Sequence, residues 1–277
     1  MVRPARGRLL RGEGIVSAGH GLEAANTFRG RFAARERLLG SFIKTPTSHA
    51  IEILGDIGFD FAVIDEEHAA FNRESIDIAL LAARASGIAG IVRVAEARAS
   101  SILSALDCGA VGVLVPHVLS VEKAKEVASW SRYRGGRRGY SGSARAGRYG
   151  ATPMWTVIDE SDARTTVIAM IEDPEALDTI DAIARVEGID GFFIGRGDLT
   201  ASLGAASAAA PEVQDAVRRI SAAARSANKP VCVMVGSANE AKPFQELGAS
   251  AFIISSDQGF IRRAASDALK EFARVEA

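Results

Sequence analysis

The sequence predicts an α/β protein built as one closed (β/α)8 TIM barrel. Three observations carry this: eight short apolar runs recur along the chain, helical patterns alternate with them, and no Gly-x-Gly-x-x-Gly turn follows the first run. Alternation of this kind is what parallel strands joined by helices produce. The missing glycine turn removes the usual mark of an open dinucleotide-binding sheet. At 277 residues the chain is long for one domain, but single barrels commonly reach this size.

The predicted strands are Leu39–Lys44, Phe61–Asp65, Gly90–Val94, Gly112–Pro116, Val167–Glu172, Gly191–Gly195, Val231–Val235 and Ala251–Ser255. They are rich in Val, Ile and Phe and mostly lack polar alternation, as strands buried on both faces do. Helical patterns between them include Ser75–Ala85, Val121–Ser131, Pro174–Ala184, Pro211–Ala227 and Ala238–Leu247. Several open on Ser, Pro or an acid and close near Gly. Gly58, Gly87, Gly109, Gly188 and Gly248 each follow a helix and precede a strand. The barrel is assigned to residues 26–277, and residues 1–25 to a poorly structured leader. That leader carries Arg3, Arg6, Arg8 and Arg11 but has no continuous apolar stretch, so it does not read as a secretory signal. An organelle-targeting segment is the alternative there. The one long interruption, Arg132–Thr152, reads as an elaborated loop of the active face that also contacts another subunit.

Composition narrows the function. With 48% hydrophobic and 24% charged residues the chain can build a sizeable core. A formal net charge of −1 gives no general reason to bind nucleic acid or an anionic membrane. Cys108 and Cys232 lie in apolar stretches without metal-ligand spacing, as free thiols of a reducing, cytoplasmic compartment do. No apolar run approaches the ~18 to 20 residues of a membrane helix.

Active sites of such barrels form at the C-terminal ends of the strands. Four predicted strands end there in charge: Asp65-Glu66-Glu67-His68, Arg93, Glu172-Asp173 and Gly195-Arg196-Gly197-Asp198. Charges at the ends of apolar strands are costly unless paired or bound to an ion. Glu172 and Asp198 could each give an oxygen to a hard divalent cation; the alternatives are that they cap helices or pair with Arg93. His68 beside acids suits proton transfer near neutrality. His117 could line the active face, but nothing pairs with it in sequence. Arg93 cannot shed its charge when buried, so an anionic substrate or intermediate is its economical partner. Gly195 and Gly197 leave backbone N–H groups free to approach a carboxylate.

Taken together these residues resemble the HpcH/HpaI aldolase family of metal-dependent pyruvate aldolases. The likeness runs from about Asn26 to Asp257 through Leu39-Gly40-Ser41-Phe42-Ile43-Lys44-Thr45-Pro46, Gly58-Phe59-Asp60-Phe61, Asp65-Glu66-Glu67-His68-Ala69, Val115-Pro116, Arg138-Gly139, Ile171-Glu172 and Gly195-Arg196-Gly197-Asp198-Leu199-Thr200-Ala201-Ser202-Leu203-Gly204. The resemblance implies a carbon–carbon lyase that joins or splits a pyruvate-type 2-oxo acid enolate and an aldehyde. It implies Mg²⁺, Mn²⁺ or Co²⁺ held by Glu172 and Asp198, with Gly197 and Asp198 also meeting the substrate. Arg93 would contact the 2-oxo oxygen and stabilise the enolate, and His68 would move protons. Asp107 would be presented by a neighbouring subunit of a homo-oligomer, commonly a hexamer with a terminal helix exchanged between subunits. Lys44 is read as structural, since no Schiff base is needed.

Three positions depart from the family pattern: Met170 in place of a common glutamine, Arg196 in place of a common proline, and Glu66 where glycine or alanine is frequent. The first two bear on the substrate. Two rival readings stand beside the aldolase. One is a citrate lyase β-subunit or malyl-CoA lyase type of enzyme acting on CoA thioesters; the other is a non-catalytic barrel, which the presence of His68, Arg93 and both metal acids disfavours.

Overall fold

The computed structural model of the chain describes residues 28–275. Eight parallel strands close in chain order: β1 (Leu38–Ile43), β2 (Phe61–Asp65), β3 (Ala89–Arg93), β4 (Gly112–Val115), β5 (Thr166–Ile171), β6 (Gly191–Ile194), β7 (Val231–Val235) and β8 (Ala249–Ser256). A helical segment at 28–33 (α1) precedes them. Around the barrel follow α2 (His49–Ile57), α3 (Arg73–Ser86), α4 (Ala99–Asp107), α5 (Val121–Ser131), α6 (Met154–Arg164), α7 (Ile180–Ala184), α8 (Arg196–Ser202), α9 (Pro211–Ser226), α10 (Ala238–Glu246) and α11 (Asp257–Phe272). The predicted leader, residues 1–25, lies outside the described residues.

Two separate apolar clusters divide the interior, as the two faces of a barrel sheet require. Helix faces pack on the outer side of the strands, whereas Phe42, Phe61, Ile91, Leu114, Met170 and Phe193 belong to a second cluster. α1 closes that second cluster from the N-terminal end. Phe28 stands 5.8 Å from Phe32 and 5.5 Å from Phe61 between ring centroids. Gly191 makes this possible, because a Cβ there would fall 2.6 Å from the Phe32 ring. Among the described residues, aromatic rings thus fill the N-terminal end of the barrel interior.

Strand ends fall within two residues of those predicted. Pro174–Ala184 is not one helix but a 3-10 turn, Pro174–Thr179, followed by the short α7. Thr179, with φ −125° and ψ 18°, interrupts the helical hydrogen bonding between them.

Arg132–Thr152 was expected on the active face, and the structure places it at the opposite end. Arg132 donates to the Thr165 carbonyl at 2.9 Å and to Asp190 at 2.8 Å. Both acceptors immediately precede or closely precede strands, β5 and β6, at their N-terminal ends. Backbone N–H groups of Tyr133 and Arg134 bind the Asp162 carboxylate near the end of α6. The physical reason is connectivity: the segment follows α5, and each outer helix returns the chain to the N-terminal rim before the next strand begins.

α11 leaves the barrel almost uncovered. Ile261, Leu269 and Phe272 are 65%, 74% and 74% exposed, although the helix is amphipathic.

Candidate active site

The register of β2 against β3 sets Asp65 directly opposite Arg93. Asp65 is fully buried and accepts both Arg93 Nε (2.8 Å) and Nη2 (2.6 Å), a planar two-point pairing. Lys44, just past β1, places Nζ 3.2 Å from the same carboxylate. Burial works to raise the Asp65 carboxyl, yet the Arg93 hydrogen bonds and charge hold it below the usual range. Arg93 Nη1 also reaches Glu67 at 3.3 Å, and the Phe42 ring stacks on the guanidinium at 4.7 Å. Arg93 is thus locked from three sides before any substrate arrives.

A second group gathers around Glu172, just past β5. One oxygen each of Glu67 and Glu172 and one ring nitrogen of His117 lie within 4.8 Å of one another. Glu172, 2% exposed, accepts the His117 backbone N–H at 2.9 Å. His117 adopts a left-handed backbone at φ 53°, rare for a residue with a Cβ, and such strain concentrates at functional sites. Its Nδ1 sits 3.2 Å from both Asp173 oxygens, leaving Nε2 facing Glu67 at 3.7 Å. Burial pushes the Glu172 carboxyl up to about 7, His117 opposes this, and the negative charges of Asp198 and Glu67 add to it. Burial likewise raises Glu67 against the opposing charge of Arg93, whose Nη1 lies 3.3 Å from Oε2 without a well-aligned hydrogen bond. A cluster of hard carboxylate oxygens and one imidazole, partly unsatisfied, fits a divalent cation.

The structure brings most of the predicted residues to this one mouth. His68 is half exposed, with Nε2 3.7 Å from Glu67, and its backbone N–H is held by Asp65 at 3.2 Å. Asp198 is exposed in the first turn of α8, where its charge acts on Glu172. Neither Glu172 nor Asp198 pairs with Arg93, whose acid partners are Asp65 and Glu67. Arg93 therefore does not need a substrate anion to balance its charge, contrary to the sequence argument. Asp107 ends α4 at the N-terminal rim, where it meets Arg138 at 3.4 Å; the chain does not bring it to its own mouth.

Sequence reasoning placed the acids ending β2, and allowed His117, at the active face, but it assigned no role to Asp65, Glu67 or His117. The run of acids ending β2 was visible, but which of them faced inward depended on the register with β3. His117 had no sequence partner because Glu67 and Glu172 come from two other strands.

Arg196, one of the departures from the family pattern, has its guanidinium taken up by the Met234 carbonyl (2.6 Å), Glu240 (2.7 Å) and the Phe244 ring. Met170, 1% exposed, packs in the same apolar cluster as Phe42 and Phe193. The positions proposed to tune specificity are thus occupied by packing and an ion pair.

Gly195 is dictated by Glu172. A Cβ at Gly195 would lie 2.5 Å from the Glu172 Cβ and 2.7 Å from its Oε2, whereas Gly197 faces open space. Gly195→Ala is therefore expected to push Glu172 aside and weaken Mn²⁺ binding by roughly tenfold or more, the scale on which displacing a ligand's support acts. Titration followed by electron paramagnetic resonance checks this; unchanged affinity would show that Glu172 does not bind the ion.

Comparison with known proteins agrees with this geometry. The sequence profile described as HpcH/HpaI aldolase/citrate lyase matches residues 38–264. A 5-keto-4-deoxy-D-glucarate aldolase of Citrobacter koseri is 34% identical over 251 residues, covering 89% of this chain and 97% of that one. Its counterpart in Klebsiella pneumoniae is equally similar, with 34% identity over the same coverage. Among solved structures, an HpcH/HpaI aldolase/citrate lyase family protein from Burkholderia cenocepacia superposes with a TM-score of 0.85 at 28% identity, over 90% of this chain and 99% of that one. A citrate synthase superposes with a TM-score of 0.81 at 32% identity, over 89% and 97%. The closed barrel, the charged mouth and these likenesses together make the chain a member of the HpcH/HpaI aldolase/citrate lyase family and a carbon–carbon lyase.

Proposed function

We propose that the enzyme cleaves, and in reverse forms, the bond between a pyruvate-type 2-oxo acid and an aldehyde, with a divalent cation at Glu172 and Asp198. The observation that carries this reading is buried Glu172, grouped with Glu67 and His117 beside the locked guanidinium of Arg93. A bound Mg²⁺, Mn²⁺ or Co²⁺ would supply Lewis-acid polarisation of the 2-oxo group. Arg93, already oriented by Asp65, offers its remaining N–H bonds to the oxygen on which negative charge develops during cleavage. His68, half exposed and next to Glu67, takes the proton from the hydroxyl that becomes the aldehyde. The Gly197 N–H, at the open start of α8, is available to the substrate carboxylate.

The long carboxyl-bearing sugar acid named for the relatives is a reasonable first substrate to assay, because its cleavage has this form. Extensive dialysis against a chelator is expected to abolish cleavage, and Mn²⁺, Mg²⁺ or Co²⁺ to restore it. Full activity in excess chelator, or borohydride trapping of pyruvate on a lysine, would overturn the proposal. The rival lyase acting on CoA thioesters would instead show cleavage that depends on CoA.

Assembly belongs to the same proposal. No helix among the described residues is long and apolar enough to cross a membrane. Asp107 lies at the rim away from its own mouth, and α11 exposes an apolar face, as an exchanged helix in a homo-hexamer requires. Inactive Asp107→Ala and inactive His68→Ala proteins, mixed and allowed to exchange subunits, are expected to regain activity. A fully active monomer by light scattering would contradict a composite site.

A further inference from the structure

At the end of the barrel away from the catalytic mouth, the starts of β3 and β4 border a cavity of about 340 Å³. Four guanidinium groups line it, from Arg84 on α3, Arg145 and Arg148 in the Arg145–Gly150 turn, and Arg164 at the end of α6. Glu160 is the one carboxylate among its lining residues. Arg145 is committed to Asp77 through two hydrogen bonds, and Arg148 comes only within 3.8 Å of Glu160. Arg84 and Arg164 have no ion pair among the described residues. Burial, and the nearby positive charges of Arg138 and Arg148, hold Arg164 below its usual range, with Glu160 opposing them.

Arg84 and Arg148 are exposed and Arg145 is paired with Asp77, but half-buried Arg164 has no ion pair among the described residues, and a guanidinium so placed is unfavourable without a counter-charge. The backbone adds a second observation. Arg148 and Tyr149, neither of them glycine, both adopt left-handed conformations at φ 52° and 56°. A strain of this kind persists where the surroundings hold a residue in place for use. Planar guanidinium forks match carboxylate and phosphate oxygens in two-point contacts, and the volume is that of a small-molecule site. We propose that this cavity is a binding site for a small dianion, a phosphate-bearing or dicarboxylate molecule, separate from the catalytic mouth.

The test is calorimetric titration of the full-length protein, stripped of metal and dialysed, with inorganic phosphate and in parallel with succinate at constant ionic strength. One saturable site per chain is expected with at least one of the two, and the better probe names the ligand class. Affinity should fall roughly tenfold or more in Arg164→Gln and in Arg84→Gln, the scale of losing a charge-assisted two-point contact. It should persist in Arg93→Lys and in Arg263→Gln on α11. Arg84 is exposed on α3, so its variant reports on binding without threatening the fold, and unchanged melting checks this. Three results would overturn the proposal. One is the absence of saturable binding of either probe. Another is binding lost in Arg93→Lys but kept in the two cavity variants, which would put the anion at the catalytic mouth. The third is no anion binding together with a changed oligomeric state of Arg84→Gln by light scattering, which would make the cavity a seat for an acid of a second copy.

Discussion

Glu172→Gln is expected to lower kcat/KM for aldol cleavage by on the order of 10³-fold or more, beyond the cost of one oxyanion donor, while stabilising the metal-free protein at alkaline pH. The two effects share one cause. Glu172 is 2% exposed, close to Glu67, and under the negative charge of Asp198, so its carboxyl is pushed up to about 7. A carboxyl raised in the folded state binds its proton more tightly there than in the unfolded chain. Its stabilising contribution is complete below the ordinary glutamate range and is lost as pH rises through about 7. Above that pH the folded, metal-free enzyme carries a buried charge that glutamine removes. Melting curves of parent and variant should therefore nearly coincide at pH 5 and separate at pH 8, with the variant higher, where burial cost dominates. Adding Mn²⁺ should reverse the order, because only the parent gains from binding the ion. Parallel melting curves at both pH values, or a variant with near-parent activity, would remove Glu172 from the metal site.

Arg93→Lys is expected to reduce kcat by on the order of 10²-fold, comparable with losing an oxyanion donor, with a smaller change in KM. A lysine keeps the charge but offers one nitrogen where Arg93 uses three. Nε and Nη2 hold Asp65, and Nη1 faces Glu67. An ammonium cannot hold the Asp65 carboxylate at two points and aim a donor at the reacting oxygen as well. Lys44, 3.2 Å from Asp65, already supplies a point charge there, so a second one adds little order. Stopped-flow measurement of the cleavage step separates this from slower product release. A variant within roughly threefold of the parent in kcat would show that Arg93 serves the fold and not the reaction.

Much of the architecture was legible from local chemistry. The interval between apolar runs, and glycines such as Gly58 and Gly248 at left-handed helix ends (φ 98° and 100°), depend on residues close in sequence. The same holds for the acids and the arginine at strand ends, which stand out because each follows an uninterrupted apolar run. Local pattern could not say where Arg132–Thr152 would lie. That was decided by the Asp162 carboxylate and by the return of α5 to the N-terminal rim.

The sequence by itself determined the barrel, the end at which its chemistry sits and the residue types available there, because each rests on short-range periodicity and on burial. Only the tertiary structure decided who pairs with whom. Register between β2 and β3 chose Asp65 for Arg93, the pairing of β4 with β5 set His117 beside Glu172, and the curvature of the barrel brought Glu67 to them across β3 and β4. It also sent Arg196 to Glu240 on α10 and away from a substrate role. The physical reason is that hydrogen-bonded ion pairs form only between groups within a few ångströms of each other, so partners are set by spatial neighbours that sequence separation does not reveal.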